Sequence, residues 1–123
     1  MSFGRVLREI VEGCGGGLGA ALMGNDGIPI EEVNAADPVA LMSEEVGTAG
    51  VEFGRILEEI RKASDALAGG GLQETVVVLA RFSLIFRAID AETFLVVALA
   101  PDGNIGKARY LIRRSLLAIR QEL

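Results

Sequence analysis

The chain has 123 residues with a formal net charge of −5 and no histidine, and half of its residues are apolar. This length and composition predict one globular domain over residues 1–123 and exclude a disordered chain. The absence of histidine removes the usual activator of serine and cysteine nucleophiles, and the negative charge opposes binding to nucleic acids.

The first predicted element is a short amphipathic helix that begins behind a Ser2 cap and stops at Gly13. Its apolar residues recur at helical spacing, so we expect one face of the helix to be buried. These residues are Phe3, Val6, Leu7, Ile10 and Val11.

A glycine-rich segment, 13-GCGGGLGAAL-22, follows this helix and contains a loose dinucleotide-binding fingerprint, Gly-x-Gly-x-x-Ala, at residues 15–20. Loops that bind phosphates connect a strand to a helix, because backbone N–H groups and the helix dipole must both point at the anion. Here a helix comes first, and the next element is a predicted hairpin of strands 18–23 and 28–33 around 25-NDG-27. We therefore interpret the glycines as a structural loop.

A long helix is predicted from the Asp37-Pro38 cap to about Leu67. Its apolar residues keep a seven-residue repeat, which predicts a stripe that faces a core. The stripe consists of Val39, Val46, Phe53, Ile60 and Leu67 in one row and Met42, Ala49, Ile56 and Ala63 in the other.

A second stripe, mostly of small residues, runs beside the apolar one on the same helix. Each glycine inside a helix costs about 1 kcal/mol relative to alanine, so three on one flank indicate that another element approaches closely. Two interpretations stay open: a second subunit packs there, or the sheet of the same chain does. The stripe consists of Ser43, Gly47, Gly50, Gly54, Leu57, Arg61 and Ser64.

The rest of the chain predicts three strands and a final helix. The segments 72–80, 82–89 and 93–100 are short and rich in β-branched and aromatic residues, and the last is apolar on both faces, as in a strand between two layers. Asn104 caps an amphipathic helix that extends to Leu123. The element order α-β-β-α-β-β-β-α predicts an α/β (α+β) fold, a three-layer α/β/α sandwich with a five-stranded antiparallel sheet.

This element order and three segments of the chain resemble the Roadblock/dynein light chain family, including its bacterial MglB-like members. The segments are 18-LGAALMGNDGIPI-30, 37-DPVALMSEEVGTAGVEFGRIL-57 and 103-GNIGKARYLIRR-114. The resemblance implies a homodimer whose long second helices pair across a two-fold axis and whose middle strands join into one sheet. It assigns to the dimer interface Ser43, Gly47, Gly50, Gly54, Leu57, Arg61, Val76 and Val78.

The resemblance also implies a function: an adaptor or regulator of a Ras-like small GTPase, without enzymatic activity or a cofactor of its own. Whether such a protein activates the GTPase or only holds it stays open. A helix face of mixed charge is also typical of a surface that is merely solvated. The residues that would dock the GTPase are Glu44, Thr48, Val51, Arg55, Glu58, Glu59 and Lys62.

Other functions have less support in the residues. Adjacent carboxylates such as Glu31-Glu32 and Glu58-Glu59 point in different directions, so they do not form a paired catalytic site. One thiol and scattered carboxylates give no metal-ligand spacing, so we expect no metal site. The alternative function is a small-ligand sensor or scaffold of the same fold. The basic last helix would fit an acidic partner or anionic lipid. Bases near the carboxy terminus of a helix are also favoured by the helix dipole alone, and this interpretation is preferred.

We expect the protein to be cytoplasmic. The longest apolar run, residues 94–100, is too short to cross a bilayer. The amino-terminal segment mixes Arg5, Arg8 and Glu9 with its apolar residues, unlike a signal peptide. A single cysteine, Cys14, cannot form an internal disulfide, which is consistent with a reducing compartment.

Overall fold

The computed structural model describes residues 2–35 and 46–123, and within these ranges it contains three helices and five strands. Their order confirms the predicted α-β-β-α-β-β-β-α arrangement. The first part of the predicted long helix, including Ser43 and Glu44, lies outside the described residues. The elements are α1 (Phe3–Gly13), β1 (Gly17–Gly24), β2 (Pro29–Asn34), α2 (Val46–Ala66), β3 (Glu74–Val78), β4 (Ser83–Ala88), β5 (Thr93–Leu99) and α3 (Ile105–Glu122).

Helix α1 begins and ends as the sequence predicts. The Ser2 hydroxyl accepts a hydrogen bond from the backbone N–H of Arg5 at 3.3 Å, which satisfies one of the free donors of the first turn. The inner face of the helix is buried, as its helical spacing predicted. The buried residues are Val6, Leu7, Ile10 and Val11.

The glycines after α1 form a tight loop that leads directly into β1. Gly15 and Gly16 have φ angles of +65° and +88°, in the region that favours glycine. A Cβ atom on Gly17 would collide with the backbone carbonyl of Val11, so glycine is required there as well. A strand, not a helix, follows the loop. The interpretation as a structural loop is therefore confirmed.

The five strands form one antiparallel sheet in the order β2-β1-β5-β4-β3. β5 lies in the centre and all of its residues are buried, as predicted from its apolar character on both faces. The turn between β1 and β2 contains Gly27 with a φ angle of +86°, which confirms the predicted hairpin. β2 and β3 form the two edges of the sheet.

The helices cover both faces of the sheet and form two separate cores. Leu95 and Val97 of β5 pack in one core with residues of α1 and α3. Val96 and Ala98, which alternate with them, pack in the other core with residues of α2. This alternation makes the three-layer sandwich that the sequence predicted.

Helix α2 contacts the sheet along a line that lies between the two predicted stripes. The residues of α2 that are buried on this line include Val46, Gly50 and Leu57. The ring of Phe53 lies 5.4 Å from the ring of Phe86 on β4. The sheet-facing residues therefore come from both the apolar stripe and the small-residue stripe.

The prediction that the whole apolar stripe faces a core is wrong for three of its described residues. Ile56 is 51% exposed, and Leu67, just beyond the end of α2, is 81% exposed. Ala63 is exposed as well. Successive helix residues are turned by about 100°, so Ile56 points well away from the buried Leu57. A strict seven-residue repeat also drifts by about 20° per heptad around a straight helix. The stripe is thus wider than the surface that the sheet covers.

Helix α3 begins at the predicted cap. The Asn104 side chain accepts a hydrogen bond from the backbone N–H of Lys107 at 2.9 Å. The helix packs beside α1 on the same face of the sheet, and its arginines lie mainly on the outer side. Its buried residues are Ala108, Leu111, Ile112, Leu116 and Ile119.

Candidate interaction surface

Strand β3 has one side without a described neighbour, and we call this side the open edge. Its other side pairs with β4. The backbone N–H of Ala88 donates to the carbonyl of Gln73, and the N–H of Leu79 donates to the carbonyl of Phe82. Residues 73 and 79 therefore belong to hydrogen-bonded pairs of this antiparallel ladder. Because such pairs alternate along antiparallel strands, the odd-numbered residues of β3 bond to β4. The backbone N–H and C=O groups of its even-numbered residues point to the open edge.

The side chains of two of these even-numbered residues are apolar and exposed. Val76 is 38% exposed and Val78 is 69% exposed. They lie on the α3 face of the sheet, because Glu74 is in the same every-second-residue row and its carboxylate is 2.7 Å from Arg109 of α3. Unpaired backbone groups beside β-branched side chains form a template for a further strand. The open edge is therefore able to accept a strand from another chain.

The two flanks of α2 face opposite edges of the sheet. Gly50 lies against Met23 of β1, whereas Phe53 contacts Phe86 of β4. β4 is the neighbour of β3, so the Phe53 flank faces the open edge. Ile56 comes three residues after Phe53 and therefore lies on this flank, where it is half-exposed.

The glycines lie on the other flank of α2, against β1 and β2. A Cβ atom on Gly47 would collide with the Glu32 carboxylate, and one on Gly50 would lie 3.2 Å from the sulfur of Met23. A Cβ atom on Gly54 would have no neighbour within 4 Å. Packing against the sheet of the same chain thus accounts for the first two glycines. A contribution of the stripe to a dimer interface stays a prediction.

The two larger residues of this stripe also lie towards the sheet and the β1–β2 turn. Leu57 is 2% exposed and belongs to the core beneath α2. Arg61 donates hydrogen bonds to the Glu58 carboxylate at 3.2 Å and to the side-chain oxygen of Asn25 at 3.5 Å. The structure therefore separates these residues from Val76 and Val78 at the open edge.

The outer face of α2 carries the mixed charges that the sequence predicted, and they are paired along the helix. Arg55 lies 3.7 Å from Glu52, and Lys62 lies 3.3 Å from Glu59. Exposed pairs of this kind contribute about 0–1 kcal/mol, so a partner can displace them at little cost. The described members of the predicted docking set are all exposed: Thr48, Val51, Arg55, Glu58, Glu59 and Lys62.

An open groove of about 490 Å³ separates this outer face from the β1–β2 turn. Val51, which is 50% exposed, and Arg55 line its α2 side, and Asp26 lines the other. Gly54 and Phe94 also line the groove. Because Gly54 has no side chain, a partner's apolar side chain has room to enter.

Sequence reasoning missed the exposure of Ile56. The periodicity of α2 groups this residue with the apolar residues that pack on the sheet. The glycines carry the signal that could have found it: a helix whose glycine flank lies on the sheet turns its opposite flank outward.

The thiol of Cys14 is part of the core. Its sulfur donates a weak hydrogen bond to the carbonyl of Val11 at 3.6 Å, and burial raises the pKa of the thiol above its ordinary value. Among residues 2–35 and 46–123, no group of three or more potential metal ligands is found. No helix in the described part of the chain is long and apolar enough to span a membrane.

Comparison with known proteins found matches among solved structures, whereas no family model and no curated protein sequence matches the chain. MglC from Myxococcus xanthus is 32% identical over 100% of both chains, with a TM-score of 0.70. A Roadblock/LC7 domain from Streptomyces avermitilis is 16% identical over 99% of this chain and 98% of that domain, with a TM-score of 0.82. The gliding protein MglB from Thermus thermophilus is 19% identical over 95% of this chain and 84% of that protein, with a TM-score of 0.82.

Proposed function

Because the chain belongs to the Roadblock/LC7 family, we propose that it is a homodimeric adaptor or regulator of a Ras-like small GTPase, without enzymatic activity of its own. The observation that carries the proposal is the open edge of β3, with Val76 and Val78 exposed beside unpaired backbone groups. The chain thus has a surface suited to a second copy and, on α2, a separate surface suited to another protein.

In the proposed dimer, the open edges of two subunits pair antiparallel about a two-fold axis. Such an interface is self-complementary, so the two-fold axis would pass near Val76, the middle one of the three residues that face the edge. Glu74 of each subunit would then lie opposite Val78 of the other. Ile56 lies on the flank of α2 that faces the open edge. We therefore place Ile56 in the proposed interface, where the two α2 helices approach each other.

The proposed GTPase surface is the outer face of α2 together with the groove beside the β1–β2 turn. Val51 supplies an apolar contact at the groove, whereas Arg55 and Lys62 supply charges that exchange their present partners at little cost. The proposal covers both a passive platform and an activator. In a platform, the GTPase supplies all the catalytic groups for GTP hydrolysis, whereas an activator would supply a basic side chain such as Arg55 in trans.

The dimer is tested first by light scattering after gel filtration over a range of protein concentrations. We expect a mass of about 26 kDa, twice the 13.0 kDa of the chain, that persists on dilution. A mass of 13.0 kDa at all concentrations would contradict the proposal, because the open edge would then stay unpaired in a monomer.

The GTPase surface is tested by measuring binding to small GTPases of the source organism, each loaded with GDP or with a non-hydrolysable GTP analogue. We expect one GTPase to bind in one nucleotide state and to lose affinity for the double variant Arg55→Glu/Lys62→Glu. The matched control is Arg8→Glu/Arg113→Glu, which reverses two exposed charges on the opposite face of the sheet. Equal binding by both double variants would place the docking surface elsewhere.

A further inference from the structure

A second concave site lies at the end of the sheet remote from the glycine loop between α1 and β1. It is an open cavity of about 530 Å³ between the carboxy-terminal half of α2, the loop before β3, the end of β4 and the last turn of α3. This volume is in the range of sites for small ligands. Three arginines from three different elements line it: Arg61, Arg87 and Arg120.

Arg87 carries a buried polar atom that lacks a partner. Its Nε is buried and has no hydrogen-bond partner among the described residues. The residue opposite it on β3 is Glu74, but that carboxylate is bound to Arg109 at 2.7 Å. An unpartnered guanidinium nitrogen is costly to bury, so the arrangement favours an added acceptor at this guanidinium.

Arg120 is already held in place beside the cavity. Its Nε donates a hydrogen bond to the carbonyl of Ile89 at 2.8 Å, which fixes the guanidinium at the end of β4. A guanidinium has five N–H donors in a planar fork, so its terminal nitrogens remain able to bind a carboxylate or phosphate in the bidentate manner. Arg120 and Arg87 both lie on the α3 side of the sheet.

The cavity lining also contains three carboxylates, Glu58, Asp65 and Asp90, which balance the three arginines in number. Arg61 is neutralised by Glu58 at 3.2 Å, and an Asp90 oxygen accepts a hydrogen bond from the backbone N–H of Glu92 at 2.8 Å. Asp65 lines the cavity from α2. Arg87 and Arg120 thus offer donors to an anion, and the carboxylates of Asp65 and Asp90 offer acceptors to a hydroxyl or amino group.

Two glycines form part of the loop wall of the cavity, where they leave space open. Gly70 and Gly71 line the cavity, and a Cβ atom on either would have no neighbour within 4 Å. Gly70 has a φ angle of +82°, and its carbonyl accepts a hydrogen bond from the Ser64 hydroxyl at 2.7 Å. This bond holds the loop against α2 while the cavity stays open.

We propose that this cavity binds a small organic molecule with one oxyanion group, a carboxylate or a phosphate, and at least one hydroxyl or amino group. Arg87 and Arg120 hold the oxyanion, and Asp65 accepts a hydrogen bond from the hydroxyl or amino group. The residues that would hold the ligand, Arg87, Arg120 and Asp65, lie outside the proposed GTPase surface, although Glu58 and Asn25 border both sites.

The proposal is tested by titration of the ¹⁵N-labelled protein while the arginine Nε–H resonances are followed by NMR. The carboxylate probes are acetate and lactate, and the phosphate probes are inorganic phosphate and glycerol 3-phosphate, all at constant ionic strength. We expect a saturable shift of the Arg87 and Arg120 resonances with one of the two pairs. Within that pair, the hydroxyl-bearing probe binds more tightly, and Asp65→Ala removes this advantage.

Variants separate this site from general attraction of anions. Arg87→Leu and, in case that variant does not fold, Arg120→Gln are expected to weaken binding at least tenfold, whereas Arg113→Leu on the exposed face of α3 leaves it unchanged. No saturable shift with any probe would overturn the proposal, and so would equal shifts at Arg113. An Arg87 resonance that moves with protein concentration and ignores the probes would also overturn it, since a second copy of the chain would then supply the acceptor.

Discussion

The two glycines Gly50 and Gly54 offer a matched test of how α2 packs. Both lie in the interior of the same helix, but they differ in what a side chain would meet. A Cβ atom on Gly50 would lie 3.2 Å from the sulfur and terminal carbon of the fully buried Met23, and one on Gly54 would have free space. We predict that Gly50→Leu destabilises the protein and that Gly54→Leu stabilises it.

The expected magnitudes follow from two opposing terms. Replacing a helix-interior glycine with leucine gains about 0.8 kcal/mol of helix propensity, and this gain is the same at both positions. At Gly50 the added side chain overpacks the Met23 contact, at a cost of about 1–3 kcal/mol. The stability difference between the variants therefore isolates the packing cost, and Gly54→Leu alone should show a gain of about 0.5–1 kcal/mol.

The assay is urea unfolding followed by circular dichroism, with both variants at one protein concentration because dimer stability depends on it. Solution mass is measured in parallel. A Gly50→Leu variant as stable as Gly54→Leu would refute the sheet contact. A folded Gly50→Leu monomer of 13.0 kDa would instead place Gly50 in the dimer seam, as the sequence-based prediction has it.

Three further predictions concern the edge, the core thiol and a helix cap. Val78→Lys should convert a 26 kDa dimer, twice the 13.0 kDa chain, into a folded monomer by light scattering, whereas Leu117→Lys, at a similarly exposed position on α3, should leave the mass unchanged. Burial raises the pKa of the Cys14 thiol in the folded state. The stabilisation that the buried neutral thiol contributes is therefore complete below the ordinary pKa of 9.0 and is lost as the pH rises through the folded-state pKa. Urea midpoints should therefore fall less steeply above pH 9 in Cys14→Ala, and parallel pH curves would contradict this. Asn104→Ala removes the acceptor for the Lys107 N–H and should cost about 1 kcal/mol in urea unfolding; no change would show that water replaces the cap.

Much of the fold was predictable because its signals are local. The Ser2 and Asn104 caps, the turn around Gly27 and the apolar character of β5 each depend on a few neighbouring residues. The order of the elements then limits the layer arrangement to one sheet with helices on both faces. The position of the glycine loop between a helix and a strand was enough to remove a phosphate site.

The candidate surface was less predictable, because it depends on which flank of α2 faces which edge of the sheet. Both stripes of α2 follow helical spacing, and spacing alone does not say whether Gly50 meets Met23 or a second subunit. Ile56 has the same periodicity as Phe53 and yet is half-exposed. Such differences arise from packing between elements distant in the sequence.

By itself, the sequence determined the type and order of the elements, the antiparallel sheet and the family resemblance, since these follow from capping residues, periodicity and segment order. Only the tertiary structure decided that β3 has an open edge among the described strands, that Val76 and Val78 are exposed there, and that the Nε of Arg87 has no partner within residues 2–35 and 46–123. The physical reason is that edge position and the pairing of charges depend on the strand order in the sheet. That order is set by contacts between residues far apart in the chain.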